Sequence, residues 1–222
     1  ASIDSFDKTI VITGITYGTF PINKSCDLSD ISATRLSSLD TYIIFNSLEV
    51  VILVRSNRLF PLDRLIIITG ETEAQTPNNI SSRGYDIFVV KLNSNGNLQW
   101  IKQFGSSRDD FSFSVAIDSS DKSIVITGNT YDSLPNSVSS GGLDIFVAKL
   151  NSCGKLQWIK QFGSSSDDGS SSVAIDSSDN SIVITGYTKG SLPNNVSSGG
   201  WDIFVARIKP CGDVLWIKQF GS

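Results

Sequence analysis

The sequence predicts an all-β chain assembled from copies of one four-stranded unit, and two observations carry that expectation. The stretch DIFVAKLNSCGKLQWIKQFG, Asp144–Gly163, recurs fifty-eight residues earlier as DIFVVKLNSNGNLQWIKQFG and fifty-eight residues later as DIFVARIKPCGDVLWIKQFG. Val115–Gly163 and Val173–Gly221 align without a gap and differ at 13 of 49 positions, so one structural unit has been copied. Inside each copy, short runs of Ile, Val, Phe, Trp and Thr alternate with Asp-Ser-Ser-Asp and Ser-Cys-Gly turns, and helical spacing is absent.

The elements follow in order from the unit 115–172. Marker glycines Gly14, Gly70, Gly128 and Gly186 set the register and divide the chain into units 1–56, 57–114, 115–172 and 173–222, the first divergent. The first strand, Val115–Asp118, is short and built of small residues, which suits a crowded central position. The second is Ser123–Gly128. In the third, Asp144–Leu150, Ile145 and Val147 face one way and Phe146, Ala148 and Leu150 the other, so neighbours must cover both sides. The fourth, Leu156–Gly163, sets Trp158, Lys160 and Phe162 on one face and Gln157, Ile159 and Gln161 on the other. It reads as an outer edge strand whose lysine and glutamines discourage further pairing. The spacing of Trp100, Trp158, Trp216, Phe104 and Phe162 favours core between units over a platform for sugars.

Four antiparallel strands, apolar faces buried between units and a wetter last strand describe a β-propeller blade. Each copy is then a wedge that must stack on its neighbours around an axis. Four blades left open would bare an apolar face at each end, so the expected assembly is completed by further blades or as a homo-oligomer.

The stretches DIFVAKLNSCGKLQWIKQFGSSSDD and SVAIDSSDNSIVITGYT, the latter followed by Leu-Pro, resemble the bacterial SBBP β-propeller repeat family. The resemblance covers residues 65–221 well and 1–23 in part. It implies a propeller fold and secreted or cell-surface proteins that are often large and multi-modular. KLNSCGKLQW also resembles the tryptophan-docking motif of quinone-dependent dehydrogenase propellers, with the spacing shifted by one. That motif is structural and implies no quinone.

The pattern breaks between Gly18 and Gly70, where no glycine occurs. Asp30 and Ile31 keep the places of Asp144 and Ile145, but the Trp and the KQFG are missing. Arg35, Arg55, Arg58 and Arg64, four of the seven arginines, fall here. Either this unit is specialised, or the segment 46–64 is out of frame with its ancestor.

Composition excludes several classes. Net charge is −4 with no basic stripe, against a nucleic-acid partner. The apolar run Tyr42–Val54 is interrupted by Asn46, Ser47 and Glu49 and is too short to span a bilayer. The chain opens at Ala1 rather than Met and reads as a processed or excised piece, so the lack of a signal peptide indicates no compartment. With no histidine, Ser-His-Asp, Cys-His and His-metal arrangements are excluded within these residues. Cys26, Cys153 and Cys211 have neither disulfide-framework nor zinc spacing. There is no P-loop or dinucleotide fingerprint.

Candidate binding residues lie in the loops. The long second-to-third loop, Asn129–Leu143, is where a rigid scaffold carries recognition, and Tyr131, Asp132, Tyr187 and Lys189 differ between near-identical copies there. Neutral drift produces the same variation. Asp109, Asp110, Asp167 and Asp168 recur between units; calcium is one reading of them, a glycosidase carboxylate pair a second, and turn chemistry the preferred third. Asp118, Asp121, Asp176 and Asp179 fit tight turns, and Asp86, Asp144 and Asp202 are expected to tie neighbouring loops. Asn23, Asn79 and Asn195 head glycosylation triplets at one equivalent position. The functional expectation is a non-enzymatic extracellular or cell-surface binding or scaffolding module, without a cofactor, for a protein or glycan ligand. The alternatives are a lectin-like carbohydrate binder with repeated sites between blades and a carboxylate-dependent glycoside hydrolase.

Overall fold

The computed structural model describes residues 97–222 continuously, with 66–73, 76 and 84–93; segments 2–3, 10–11, 32–36, 40–44 and 49–54, and Ile66, are described as backbone alone. Asn23, Cys26, Asp30, Ile31, Arg55, Arg58, Arg64 and Asn79 lie outside the described residues.

Every regular element among the described residues is a strand. β1 (Ser2–Ile3) pairs with β2 (Ile10–Val11), and β3 (Ser32–Leu36) with β4 (Asp40–Ile44). Three four-stranded antiparallel meanders follow. The first sheet is β5 (Glu49–Val54), β6 (Ile66–Thr72), β7 (Asp86–Leu92) and β8 (Leu98–Phe104). The second is β9 (Asp110–Ile117), β10 (Ile124–Thr130), β11 (Asp144–Leu150) and β12 (Leu156–Phe162). The third is β13 (Asp168–Ile175), β14 (Ile182–Thr188), β15 (Asp202–Ile208) and β16 (Val214–Phe220). Part of the irregular segment 46–64 thus supplies a first strand. Val54 opposes Ile66 where, one repeat on, Ile117 opposes Ile124.

The first strand is longer than its apolar letters suggest. It begins at Asp110, five residues before Val115, because Asp110–Ser114, in which Phe111 and Phe113 alternate with polar residues, still pairs with the far end of β10. A bulge beside Gly128 lets the strand bend there. The marker glycine is required by close approach: a β-carbon on Gly128 would sit 1.9 Å from the Phe111 carbonyl oxygen. Gly186 meets the Gly169 carbonyl in the same way.

Burial explains the stacking. β10 and β11 are buried at every residue, whereas β12 is wetter. Ile67, Ile87 and Val89 from one face of the first sheet meet Val115, Ile126, Phe146 and Leu150 of the second, with Trp100 and Phe104 packed alongside. Val125, Ile145, Val147 and Phe162 on the opposite side of the second sheet meet Val173, Ile184, Phe204 and Ile208 of the third, with Trp158 alongside. Polar links cross between the sheets as well: Thr69 Oγ1 donates to Ser112 Oγ at 2.7 Å, and Val173 N to Ser114 Oγ at 3.2 Å.

Trp100 and Trp158, each on a fourth strand, dock on the last turn of the next sheet. Trp100 Nε1 donates to Ser152 O and lies against Gly154, whose φ is +79°. Trp158 Nε1 donates to Pro210 O at 3.1 Å and lies against Gly212, whose φ is +98°. A β-carbon at Gly154 would fall 2.8 Å from the Trp100 ring, so glycine serves both the left-handed turn and the seat. Among the described residues nothing seats Trp216, which is 40% exposed.

The second glutamine of the outer strand does not act as an edge guard, whereas Gln157 and Lys160 on the same strand are exposed. Gln161, 8% exposed, accepts from Leu134 N and donates to Asp132 O and Asp144 Oδ2, pinning the long loop to the outer strand. Lys149 on β11 is likewise buried and reaches Asp121 at 3.6 Å and Asp118 at 4.0 Å, clamping the first turn. Arg207 makes the equivalent clamp on Asp176 and Asp179.

Trp158→Ala removes a ring seated on the neighbouring sheet and is expected to cost roughly 2–4 kcal/mol in urea unfolding. Trp216→Ala removes an unseated ring and should cost under about 1 kcal/mol. Equal losses would refute the docking account.

Candidate functional site

The long loops 131–143 and 189–201 and the linkers 105–109 and 163–167 leave the strands at one end of the sheets, since Thr130 faces both Asp110 and Asp144 across the ladders. The expected site residues therefore share an end, but they divide into two groups.

The carboxylates belong to the scaffold. Asp109 Oδ1 accepts from Tyr85 N at 3.0 Å and Asp167 Oδ1 from Leu143 N at 3.2 Å, so each ties its linker to the preceding sheet. Asp110 and Asp168 are strand residues, fully buried rather than in exposed loops. Asp110 accepts from Ser106 N at 2.6 Å and from Ser106 Oγ at 3.1 Å. Asp168 accepts from Ser164 N and Oγ and from Thr188 Oγ1. Neighbouring aspartates thus point to different partners, as an extended chain requires. Asp144 ties Ser140 N and Gln161 Nε2 through Oδ2, while its buried Oδ1 has no hydrogen-bond partner. Both Asp144 Oδ1 and Asp168 Oδ2 overlie Gly163: a β-carbon there would lie 2.3 Å and 2.7 Å from them. Asp118 and Asp176 each accept from a backbone N–H two residues on, the local bonding of an Asx turn.

Burial pushes Asp110 up to about 6, against the lowering effect of Thr130 and Ser106 and with further raising by the Asp86 charge. Burial also raises Asp168. Asp202, bonded by Ser198 and Gln219, is held down at about 2. Among the described residues, no three Asp, Glu, Cys or His side chains converge as a metal-ligand group.

The variable residues form exposed aromatic and cationic clusters. Tyr131 lies edge-on to Phe111 with ring centroids 6.4 Å apart, Phe113 stacks on Phe111 at 6.3 Å, and Arg108 lies 5.3 Å over Tyr131. One repeat on, Tyr187 meets Trp201 edge-on at 5.3 Å, and Lys189 Nζ lies 5.5 Å over Trp201. The Ser107 hydroxyl and the Ser133 N–H donate to Asp132 and, with the nearby Arg108 charge, hold its carboxyl below the usual range. Phe111, Phe113, Arg108 and Trp201 were absent from the sequence-derived candidates. The available signal was the same one that marked Tyr131: their counterparts Gly169, Ser171, Ser166 and Leu143 differ in otherwise matching copies.

A cross-strand exchange accompanies this variation. Phe111 opposes Asn129 in the second sheet, whereas Gly169 opposes Tyr187 in the third. The Tyr187 ring covers the glycine, which has no side chain of its own to shield the ladder. Asn129 then bridges the sheets, accepting from Ser170 N at 2.9 Å and donating to the Tyr187 hydroxyl at 3.2 Å.

Elsewhere, Asn195 donates to Pro193 O and Ile217 O and accepts from Gln219 N, so its side chain is engaged by the outer strand. Cys153 and Cys211 are exposed and free. Between β8 and the turn after β11, a shallow groove of about 350 Å³ is lined by Lys102, Phe104, Cys153, Gly154 and Lys155 among others. No helix among the described residues is long and apolar enough to cross a membrane.

With Asp110 raised from 3.8 to about 6, the folded chain holds this proton more tightly than the unfolded chain. Stability should therefore rise as pH falls from about 6 to about 4, by at most about 3 kcal/mol at roughly 1.4 kcal/mol per pKa unit. Urea midpoints across this window should climb for the native chain and climb less for Asp110→Asn. A flat profile would contradict the burial argument.

Residues 157–193 match the SBBP beta-propeller repeat. The chain is similar to an uncharacterized WD repeat-containing protein of Acanthamoeba polyphaga mimivirus, 30% identical over a region covering 65% of this chain and 12% of that protein. It is also similar to the regulatory protein FlaEY of Caulobacter vibrioides, 27% identical over 62% of this chain and 16% of that protein. The chain thus spans under one fifth of the length of either relative. An all-β chain of stacked antiparallel four-stranded sheets that matches this family over residues 157–193 is one that carries the SBBP β-propeller repeat.

Proposed function

We propose that the chain is a non-enzymatic binding or scaffolding module of a β-propeller, working at the extracellular or cell surface through the end that carries the long loops. The observation that carries this reading is the pair of exposed aromatic–cation clusters, Arg108 with Tyr131 and Lys189 with Trp201, set on a buried, hydrogen-bonded frame. Aromatic faces with cations above them offer contact area and charge at small conformational cost, the usual currency of recognition. The four repeated aspartates are engaged in the frame, which favours binding over hydrolysis. Localisation rests on the family resemblance. On this reading the blades circle an axis, and further blades or a second copy complete the ring.

A lectin-like role is the second reading, favoured by Trp201, which is 57% exposed and free to stack on a sugar ring. Peptide and glycan arrays probed with the intact chain test both. Binding should fall at least tenfold in the combined variant Arg108→Ser, Tyr131→Ala, Lys189→Ala, Trp201→Ala, whose circular dichroism should remain native. Glycan signals that strengthen with printed density would select the lectin reading; retained binding by the variant would remove the site from this end. Glycoside hydrolysis, the third reading, predicts turnover lost in an Asp109, Asp110, Asp167, Asp168→Asn variant. Calcium as a ligand of these aspartates predicts a calcium-dependent rise in melting temperature.

A further inference from the structure

Where the second sheet meets the third, two buried carboxylates face each other with no cation between them. Asp144 opens β11 and Asp168 opens β13, and neither is exposed to solvent. Asp144 Oδ1 and Asp168 Oδ2 both lie within 2.7 Å of one point over Gly163, the place a β-carbon would take. The two oxygens therefore approach each other across the glycine that follows β12. The junction one repeat earlier has the same geometry: Asp86 Oδ1 and Asp110 Oδ2 lie within 2.6 Å of the matching point over Gly105, and both aspartates are fully buried.

Hydrogen bonds satisfy three of the four oxygens at Gly163. Asp168 accepts from Ser164 N, Ser164 Oγ and Thr188 Oγ1, using both of its oxygens. Asp144 Oδ2 accepts from Ser140 N at 2.8 Å and Gln161 Nε2 at 2.9 Å. Asp144 Oδ1 is buried with no donor at all. The loop sequence is not the reason. Asp202 keeps the bonds from Ser198 N and Gln219 Nε2, faces no second aspartate among the described residues, and turns its Oδ1 to Ser198 Oγ at 2.6 Å. Ser140 is the counterpart of Ser198, yet Asp144 Oδ1 points into the junction instead.

No neighbouring charge balances the pair. The groups that reach it, Gln161 of β12, Thr188 of β14 and the serines of the loops, are neutral. The flanking acids Asp167 and Asp132 turn to Leu143 N and to Ser107 Oγ and Ser133 N. Lys160 is exposed, Lys189 extends over Trp201, and Lys149 and Arg207 are engaged at the turns of the opposite end. A calcium ion takes about six or more oxygen ligands, and among the described residues no three acidic side chains converge. A proton needs only the two oxygens, and one proton removes both the like-charge repulsion and the orphaned acceptor.

We propose that Asp144 and Asp168 share one proton, a carboxyl–carboxylate hydrogen bond between Asp144 Oδ1 and Asp168 Oδ2 that ties the second sheet to the third, and that Asp86 and Asp110 do the same one repeat earlier. Burial, with the facing charge, raises Asp168 and brings Asp110 to about 6, the direction a shared proton requires. The folded chain holds each proton where the unfolded chain has released it, so the bond is complete in acid and is lost as pH rises through the folded value. Asp144 also pins Ser140 and Gln161, and Gln161 pins Leu134 and Asp132. The proton thus tightens the long loop together with the junction.

Asp144→Asn tests this, because the amide keeps the Oδ2 acceptor and sets an N–H where the proton would lie. At about pH 5, where ordinary aspartates are ionised, the native chain in chelator should show a carboxylic C=O infrared band. Asp144→Asn and Asp168→Asn should each remove the same part of that band, and the double variant no more than either. Loss in Asp168→Asn alone overturns the inference, since burial of a single carboxyl would then suffice. The urea midpoint of Asp144→Asn should gain on that of the native chain as pH rises from about 5 to about 7; a constant difference overturns the shared proton. Absence of the band overturns it too, as does its disappearance on adding calcium, the latter in favour of a cation at the same oxygens.

Discussion

The arrangement depends on one constraint: a four-stranded sheet with two apolar faces cannot cover both of them from its own strands. β11 has seven buried residues in succession, and a strand apolar on both sides is stable only between two layers. Stacking solves this, and the solution is directional. One face carries a tryptophan on its outer strand, and the opposing face offers a glycine turn to receive it. The carbonyls at Ser152 and Pro210 take the indole N–H groups, so the ring is buried without stranding its polar handle. Direction and spacing of the stack are therefore written into a tryptophan and a glycine lying fifty-four residues further along the chain.

With the faces committed to packing, polar residues inside the sheets serve the turns and loops. Gln161 and Gln219 repeat one task, linking a loop N–H, a loop carbonyl and the aspartate that opens the third strand. Lys149 and Arg207 repeat another, neutralising the aspartates of the first turn. A buried charge such as Lys149 is tolerable when paired and bonded, and the part-exposed Arg207 makes three contacts, to Ser181, Asp176 and Asp179. The carboxylates of Asp110 and Asp168 are less comfortable, which is why burial raises both.

The loop end varies within limits that the ladder sets. Phe111 can become Gly169 because Tyr187 on the paired strand takes over the cover. Asn129, in turn, can serve as an inter-sheet bridge because its own cross-strand partner is the bulky Phe111. Surface chemistry therefore changes from repeat to repeat in correlated pairs, while the frame beneath is constant.

The strand positions, their alternation, the shared register and the burial of both faces of the third strand were readable from the letters, because strand periodicity and exact repetition are local properties. So was the turn chemistry of Asp118 and Asp176, which bond within a few residues of themselves. The full length of the first strand was not read from the letters: Phe111 and Phe113 alternate with polar residues in Asp110–Ser114, but the counterpart Asp168–Ser172 holds only Asp, Gly and Ser, and pairing with the second strand is what shows that both stretches belong. Nor was the burial of Asp110, Gln161 and Lys149, whose polarity suggests solvent and whose position is decided by partners distant in sequence. Tyr131 and Lys189 were recognisable as variable, but that each joins a cation to an aromatic ring depends on which residues neighbouring strands bring together. Repetition along the chain determined the unit; contact between units, a matter of faces meeting in space, determined which of its residues are frame and which remain exposed at the rim.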